Sequence, residues 1–77
     1  MTSRHMYKQS DYDYEALGNA LRGARAQKRL RQIDVAKACR TSRQSVWRCE
    51  TGIAIDPFTL IRIAAYLEVD YMQYNEL

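Results

Sequence analysis

The chain has 77 residues, a formal net charge of +3, and 27% charged against 47% apolar residues. A chain this short buries one core, which excludes a second domain and a large catalytic cleft, and its longest apolar run, Ile63–Leu67, falls far short of the roughly 20 residues that span a bilayer. No basic, apolar and small-residue succession opens it, so no secretory signal is expected and the expected compartment is the cytoplasm. Residues 1–10 are polar and aperiodic and read as a disordered tail, in which His5-Met6 resembles the scar of a cloning site; residues 11–77 are the expected folded domain.

Ser10, Asp11 and Asp13 offer N-caps for a first helix, in which Leu17, Leu21 and Ala24 recur at i, i+4 and i+7 and which runs to about Lys28. A short second helix starts near Gln32 with Val35, Ala36 and Cys39 on one face, and Arg40-Thr41-Ser42 breaks it. Ser42 caps a third helix over 43–51, whose inward positions are Val46 and Cys49, and Gly52 supplies a left-handed exit. Asp56-Pro57 opens a fourth helix over 57–67, with Leu60, Ile63, Ala64 and Leu67 as its stripe. Val69, Asp70 and Gln73 have the spacing of a staple and a capping box, which predicts a fifth helix through Tyr71, Met72, Tyr74 and Leu77. No alternating strand pattern or repeat occurs, so the expected fold class is all-α with five helices.

Charge is distributed unevenly. Residues 22–48 hold nine basic residues against the single acid Asp34, a net +8, whereas the rest of the chain holds three basic residues against eight acids, a net −5. Solvated helix faces mix signs; a one-signed block is the electrostatic footprint expected of a protein that binds a polyanion, with nucleic acid the leading candidate. A basic membrane-surface helix would need a continuous apolar stripe opposite the charges, which this broken window lacks. Cys39 and Cys49 have no His or Cys at metal-ligand spacing, so no zinc site is expected; they read as buried thiols packed as small apolar groups, with a redox switch as the other reading.

The segment from Gln32 to Gly52 forms two short helices about a tight turn and resembles a helix-turn-helix. Small Ala36 lets the two helices approach; Val35, Cys39, Val46 and Cys49 form their shared core, leaving the start of the third helix free to enter a major groove. With Leu17-Gly18, Leu21-Arg22 and Arg25 before it and Leu60, Ile63-Ala64 and Leu67 after it, the chain over about residues 14–74 resembles the phage repressor and Cro (XRE-like) family of bacterial regulators. The resemblance implies a compact five-helix, lambda-repressor-like DNA-binding domain in which the start of helix three reads base edges, positions held here by Ser42, Arg43, Gln44, Trp47 and Arg48. The chemistry fits, because Arg presents a fork to guanine O6 and N7 and Gln pairs with adenine N6 and N7. Trp47, on an outward position, either presses on a thymine methyl or sugar or covers helix one.

The resemblance further implies that Gln32 meets a phosphate at the start of helix two, with Arg31, Lys37, Arg40 and Ser45 as further phosphate contacts. It also implies a structural ion pair between Arg25 and Glu50 that orients the recognition helix. Three departures stand out: Arg40 and Glu68 occupy positions where the family usually has glycine, and Ile53-Ala54-Ile55 replaces a usually basic loop. Ile53, Ile55, Tyr71, Met72, Tyr74 and Leu77 are therefore expected to supply part of a two-fold dimer interface, the plainer reading being that most of them close the monomer core.

The single histidine lies in the tail, and no paired carboxylates, Cys-His pair or phosphate-binding glycine loop occur, so neither catalysis nor a cofactor is expected. The expected function is a sequence-specific transcriptional regulator, most simply a repressor or autoregulator, binding double-stranded DNA as a homodimer on a pseudo-palindrome. The alternative is an antitoxin that binds a toxin and represses its own operon; polymerase is a further expected partner of a regulator, and no membrane contact is expected. The chain leaves no room for a ligand-sensing domain, so regulation is expected to come from concentration, a competing repressor or a partner.

Overall fold

A computed structural model describes residues 13–53 and 56–74. Its α-helices are α1 (Tyr14–Gln27), α2 (Gln32–Ala38), α3 (Arg43–Thr51) and α4 (Pro57–Leu67), followed by a 3₁₀ turn over Tyr71–Tyr74; no strand occurs among the described residues. The core is formed by Leu17 and Leu21 from α1, Val35 and Ala36 from α2 with Cys39 at its C-cap, Val46 and Cys49 from α3, and Leu60, Ile63, Ala64 and Leu67 from α4, while Ala24 is partly buried at its edge. Each large member, fully buried, contributes about 1.5–3 kcal/mol relative to exposure. Gly18 lets α1 pass close to α3, since a Cβ there would stand 2.6 Å from the carbonyl oxygens of both Cys49 and Glu50.

The helices start where short polar side chains can accept from orphan amides. Asp13 Oδ1 accepts from Ala16 N (3.1 Å), Ser42 Oγ from Ser45 N (3.0 Å) and Asp56 Oδ1 from Thr59 N (2.9 Å), with Pro57 in the first turn of α4. Of the three N-caps offered for α1, Asp13 makes the bond, and Ser10 and Asp11 lie outside the described residues. At α2 the cap works in reverse, as the Arg31 backbone N–H donates to Asp34 Oδ2 at 2.8 Å.

All four helices end alike. Arg29, Arg40, Gly52 and Glu68 take left-handed φ angles of 57°, 57°, 84° and 62°. The amide after each returns to a carbonyl five residues back: Leu30 to Arg25, Thr41 to Ala36, Ile53 to Arg48 and Val69 to Ala64. This is the Schellman arrangement, which satisfies carbonyls left open at a helix end. Only one of the four positions is glycine, so at Arg29, Arg40 and Glu68 the Cβ stands against its own carbonyl at about 1–2 kcal/mol each.

Over the described residues the expected fifth helix is corrected to a 3₁₀ turn at Tyr71–Tyr74; Leu77 lies outside them. Asp70 Oδ1 accepts from Met72 N (3.1 Å) and its carbonyl from Gln73 N (3.1 Å), an i+2 and i+3 pattern that closes a tight turn. Its function is a latch: the Tyr74 carbonyl accepts from Asp13 N at 2.8 Å, joining the last described turn to the cap of α1.

Candidate nucleic-acid interface

The two faces of α3 differ in chemistry. Val46, Cys49 and Glu50 point into the domain, whereas Arg43, Gln44, Trp47 and Arg48 are exposed, as is the capping residue Ser42. The base-reading set expected from the sequence therefore lies together on the outer side of α3 and at its start. Arg43, Gln44 and Trp47 line an open hollow of about 310 Å³. Ser42 is partly committed elsewhere, because its Oγ accepts from Ser45 N and donates to Ser45 Oγ at 3.0 Å.

Behind this face runs a chain of polar contacts. Glu50, 3% exposed, accepts from Arg25 Nε (2.5 Å) and Nη2 (3.0 Å), and Arg25 Nη1 donates onward to the Leu30 carbonyl (2.9 Å). The hydrogen bond to Glu50 holds Arg25 more firmly protonated, against the opposing effect of burial. The ion pair expected from the sequence is thus formed. Gln32 Nε2 also donates to Glu50 Oε1 at 3.0 Å, and Arg43 Nη1 donates to Gln32 Oε1 at 3.4 Å. A carboxylate only accepts, so Gln32 must turn its amide nitrogen to Glu50, and its oxygen is left facing the Arg43 guanidinium. Buried charge on α1 and α3 thereby fixes the side chain that opens α2, which in turn steadies the first side chain of α3. Sequence reading gave Gln32 a phosphate and missed this link.

The phosphate candidates fall into three states. Lys37 and Arg40 are exposed, and Arg40 stands at the left-handed corner between α2 and α3. Arg31 is exposed too, but its Nε and Nη2 hold the two Asp34 oxygens at 3.1 and 2.9 Å. Those bonds lower Asp34 to a pKa of about 2. Ser45 is half-buried. The resulting surface offers cationic forks and amides at the groove-sized end of one helix, which is the chemistry that base edges and phosphates require.

The residues grouped as a dimer surface separate. Tyr71 and Tyr74 pack against the core, while Ile53 is 46% and Met72 54% exposed; Ile55 and Leu77 lie outside the described residues. Phe58, 76% exposed on the first turn of α4, is an apolar group that the sequence reading left out; a helical stripe defines the inward positions well but says little about one aromatic beside it. Arg62 was likewise passed over: its Nε donates to the Cys39 carbonyl at 3.2 Å, and the Cys39 thiol donates to the Arg62 carbonyl at 3.7 Å, tying α4 to the end of α2. Both thiols are buried and raised by burial, Cys49 to about 12 with Glu50 adding to it, so they sit as packed, protonated groups. Among the described residues no group of three His, Cys, Asp or Glu side chains could hold a metal, and no helix is long and apolar enough to cross a membrane.

These features define a helix-turn-helix, with α2 and α3 as its two helices. The helix-turn-helix domain family matches residues 16–73, and the chain belongs to it. This agrees with the resemblance to the repressor and Cro type of regulator. Comparison with curated proteins finds no match, and neither does comparison with solved structures.

Proposed function

We propose that this protein is a sequence-specific DNA-binding transcriptional regulator, a repressor or autoregulator acting in the cytoplasm, that inserts α3 into the major groove. The observation that carries the reading is the outward row Arg43, Gln44, Trp47 and Arg48, with Arg43 steadied through Gln32 by the buried Arg25–Glu50 pair. A preset guanidinium loses less side-chain entropy on meeting guanine, and a good bidentate pair discriminates by about 1–3 kcal/mol. Lys37, Arg40, Arg31 and Ser45 flank the groove helix and contact phosphates, and Gln32 has a second amide hydrogen to offer to one. The protein binds as a homodimer through Ile53, Ile55, Met72 and Leu77, with the rims of Tyr71 and Tyr74. Two copies of α3 then meet half-sites about one helical turn apart on a pseudo-palindrome.

The test is to retain fragmented source DNA on the whole protein at ~150 mM salt, where charge-driven binding is weak, and to sequence what is held. Recovery of a short inverted repeat is expected. Retention without a shared motif would overturn the reading in favour of a protein partner. On the recovered site, Arg43→Ala should relax one base pair, whereas Lys37→Ala should weaken all sequences alike and lower the salt slope by about one.

A further inference from the structure

Trp47 stands at i+3 from Gln44 and i+4 from Arg43, the two spacings that bring side chains together on a helix, and all three border the same hollow. The indole is 45% exposed, so its neighbours in the domain cover only part of it. A large aromatic left open between a guanidinium and an amide, on the face that enters the groove, is matched by one feature of the major groove. Base edges there display donors and acceptors, and the sole apolar group among them is the 5-methyl of thymine. Arg43 is also held at one nitrogen by Gln32, itself bonded to Glu50, which limits how far its fork can move from the hollow.

From this we infer that Trp47 is a specificity-determining residue: its indole forms an apolar wall that accepts the 5-methyl of a pyrimidine adjacent to the guanine read by Arg43. The inference rests on the DNA-binding reading above and adds a base and an atom to it. The preferred half-site contains a thymine next to a guanine, and 5-methylcytosine at that position is bound better than cytosine.

The experiment uses the whole protein and the half-site recovered by selection. Each thymine is replaced in turn by deoxyuridine, which removes only the methyl. Burying one methyl is worth a factor of about three to five in affinity, so the thymine beside the guanine should show that loss and the other thymines should not. In Trp47→Ala, thymine and uracil should be bound equally while the preference for guanine persists. A thermal melt of the variant reports whether it is folded, and the uracil series on the unaltered protein needs no variant. The inference is overturned if no thymine lies next to a guanine in the selected site. It is also overturned if every uracil replacement changes affinity by less than about two-fold, or if the thymine preference survives in folded Trp47→Ala. A selection that returns no motif refutes the DNA-binding reading itself, an outcome distinct from a clear motif that is indifferent to uracil.

Discussion

Replacing Glu50 by Gln removes one charge and keeps the shape. The carboxylate now receives three hydrogen bonds, two from Arg25 and one from Gln32, at 2.5, 3.0 and 3.0 Å. A primary amide has one acceptor oxygen, so its –NH2 must take the place of either Oε2 or Oε1. At Oε2 it sets donor against donor at Arg25 Nε; at Oε1 it opposes Arg25 Nη2 and also forces Gln32 to flip and present –NH2 to the Arg43 guanidinium. The side chains of Arg25 and Glu50 are 18% and 2% exposed, so solvent repairs little of the loss. Stripping a buried ion of its partner costs about 3–5 kcal/mol, and the retained oxygen of Gln offsets part of this, leaving an expected loss of about 2–3 kcal/mol. For a domain of this size that lowers Tm by roughly 10–20 °C. Urea unfolding followed by circular dichroism measures it, and binding to the selected operator should weaken in parallel because Arg43 loses its support. An apolar double replacement, Arg25→Met with Glu50→Leu, should recover most of the stability and little of the sequence discrimination. A Glu50→Gln protein with unfolding and operator affinity both unchanged would refute the account of the network.

Gly18→Ala places a methyl 2.6 Å from two backbone carbonyls of α3, and a thermal melt should show a loss of about 2–3 kcal/mol because no flexible side chain is available to yield. Arg29→Gly, Arg40→Gly and Glu68→Gly should each raise stability by about 0.5–1 kcal/mol, the left-handed strain removed less the entropy that glycine adds. Of the three, Arg40→Gly alone should weaken DNA binding and flatten its salt dependence. Asp34 at about 2, and Asp56 lowered by its bonds to the Thr59 amide and hydroxyl, lie below the ordinary carboxylate value of 3.8. Between the lowered and ordinary values the unfolded chain binds more protons, so their stabilisation is complete above that range and fades as pH falls through it. Asp34→Asn should therefore make the acid limb of a stability–pH curve shallower between about pH 4 and 2, with little change in its shape above pH 5.

What the sequence made legible was local. Ser42, Asp56 and Gly52 act within three or four residues of where they sit, so their caps could be placed without the fold, and the periodic positions of α1 to α4 are the residues found in the core, except Ala24, which is partly buried at its edge. The same locality misled at Asp70 and Gln73, where a capping-box spacing closed a 3₁₀ turn because the polar groups found nearer partners. Departures from glycine at Arg40 and Glu68 were visible, and both are left-handed; Arg29 adopts the same conformation without any motif to mark it. The link from Gln32 to Glu50 was out of reach, since an amide at the start of a helix has many acceptable partners and only the packing of α1 against α3 selects one. For Trp47, periodicity established that it points outward and carried no information on which neighbours frame its ring.

The hydrogen bond from Asp13 to Tyr74 bears on how the domain is made as well as on how it stands. The two residues lie at opposite ends of the described residues, so during synthesis α1 leaves the ribosome well before the turn that latches its cap. Leu17 and Leu21 must likewise wait for Ile63 and Leu67. The groove-facing helix is translated midway but cannot be held in place early, because contacts so distant in sequence close late. A nascent chain stalled before Tyr71 would carry the basic window and bind DNA by charge alone. Selective recognition would arrive only once the turn over Tyr71–Tyr74 has been made, coupling the ability to choose a sequence to the packing of α1 and α4.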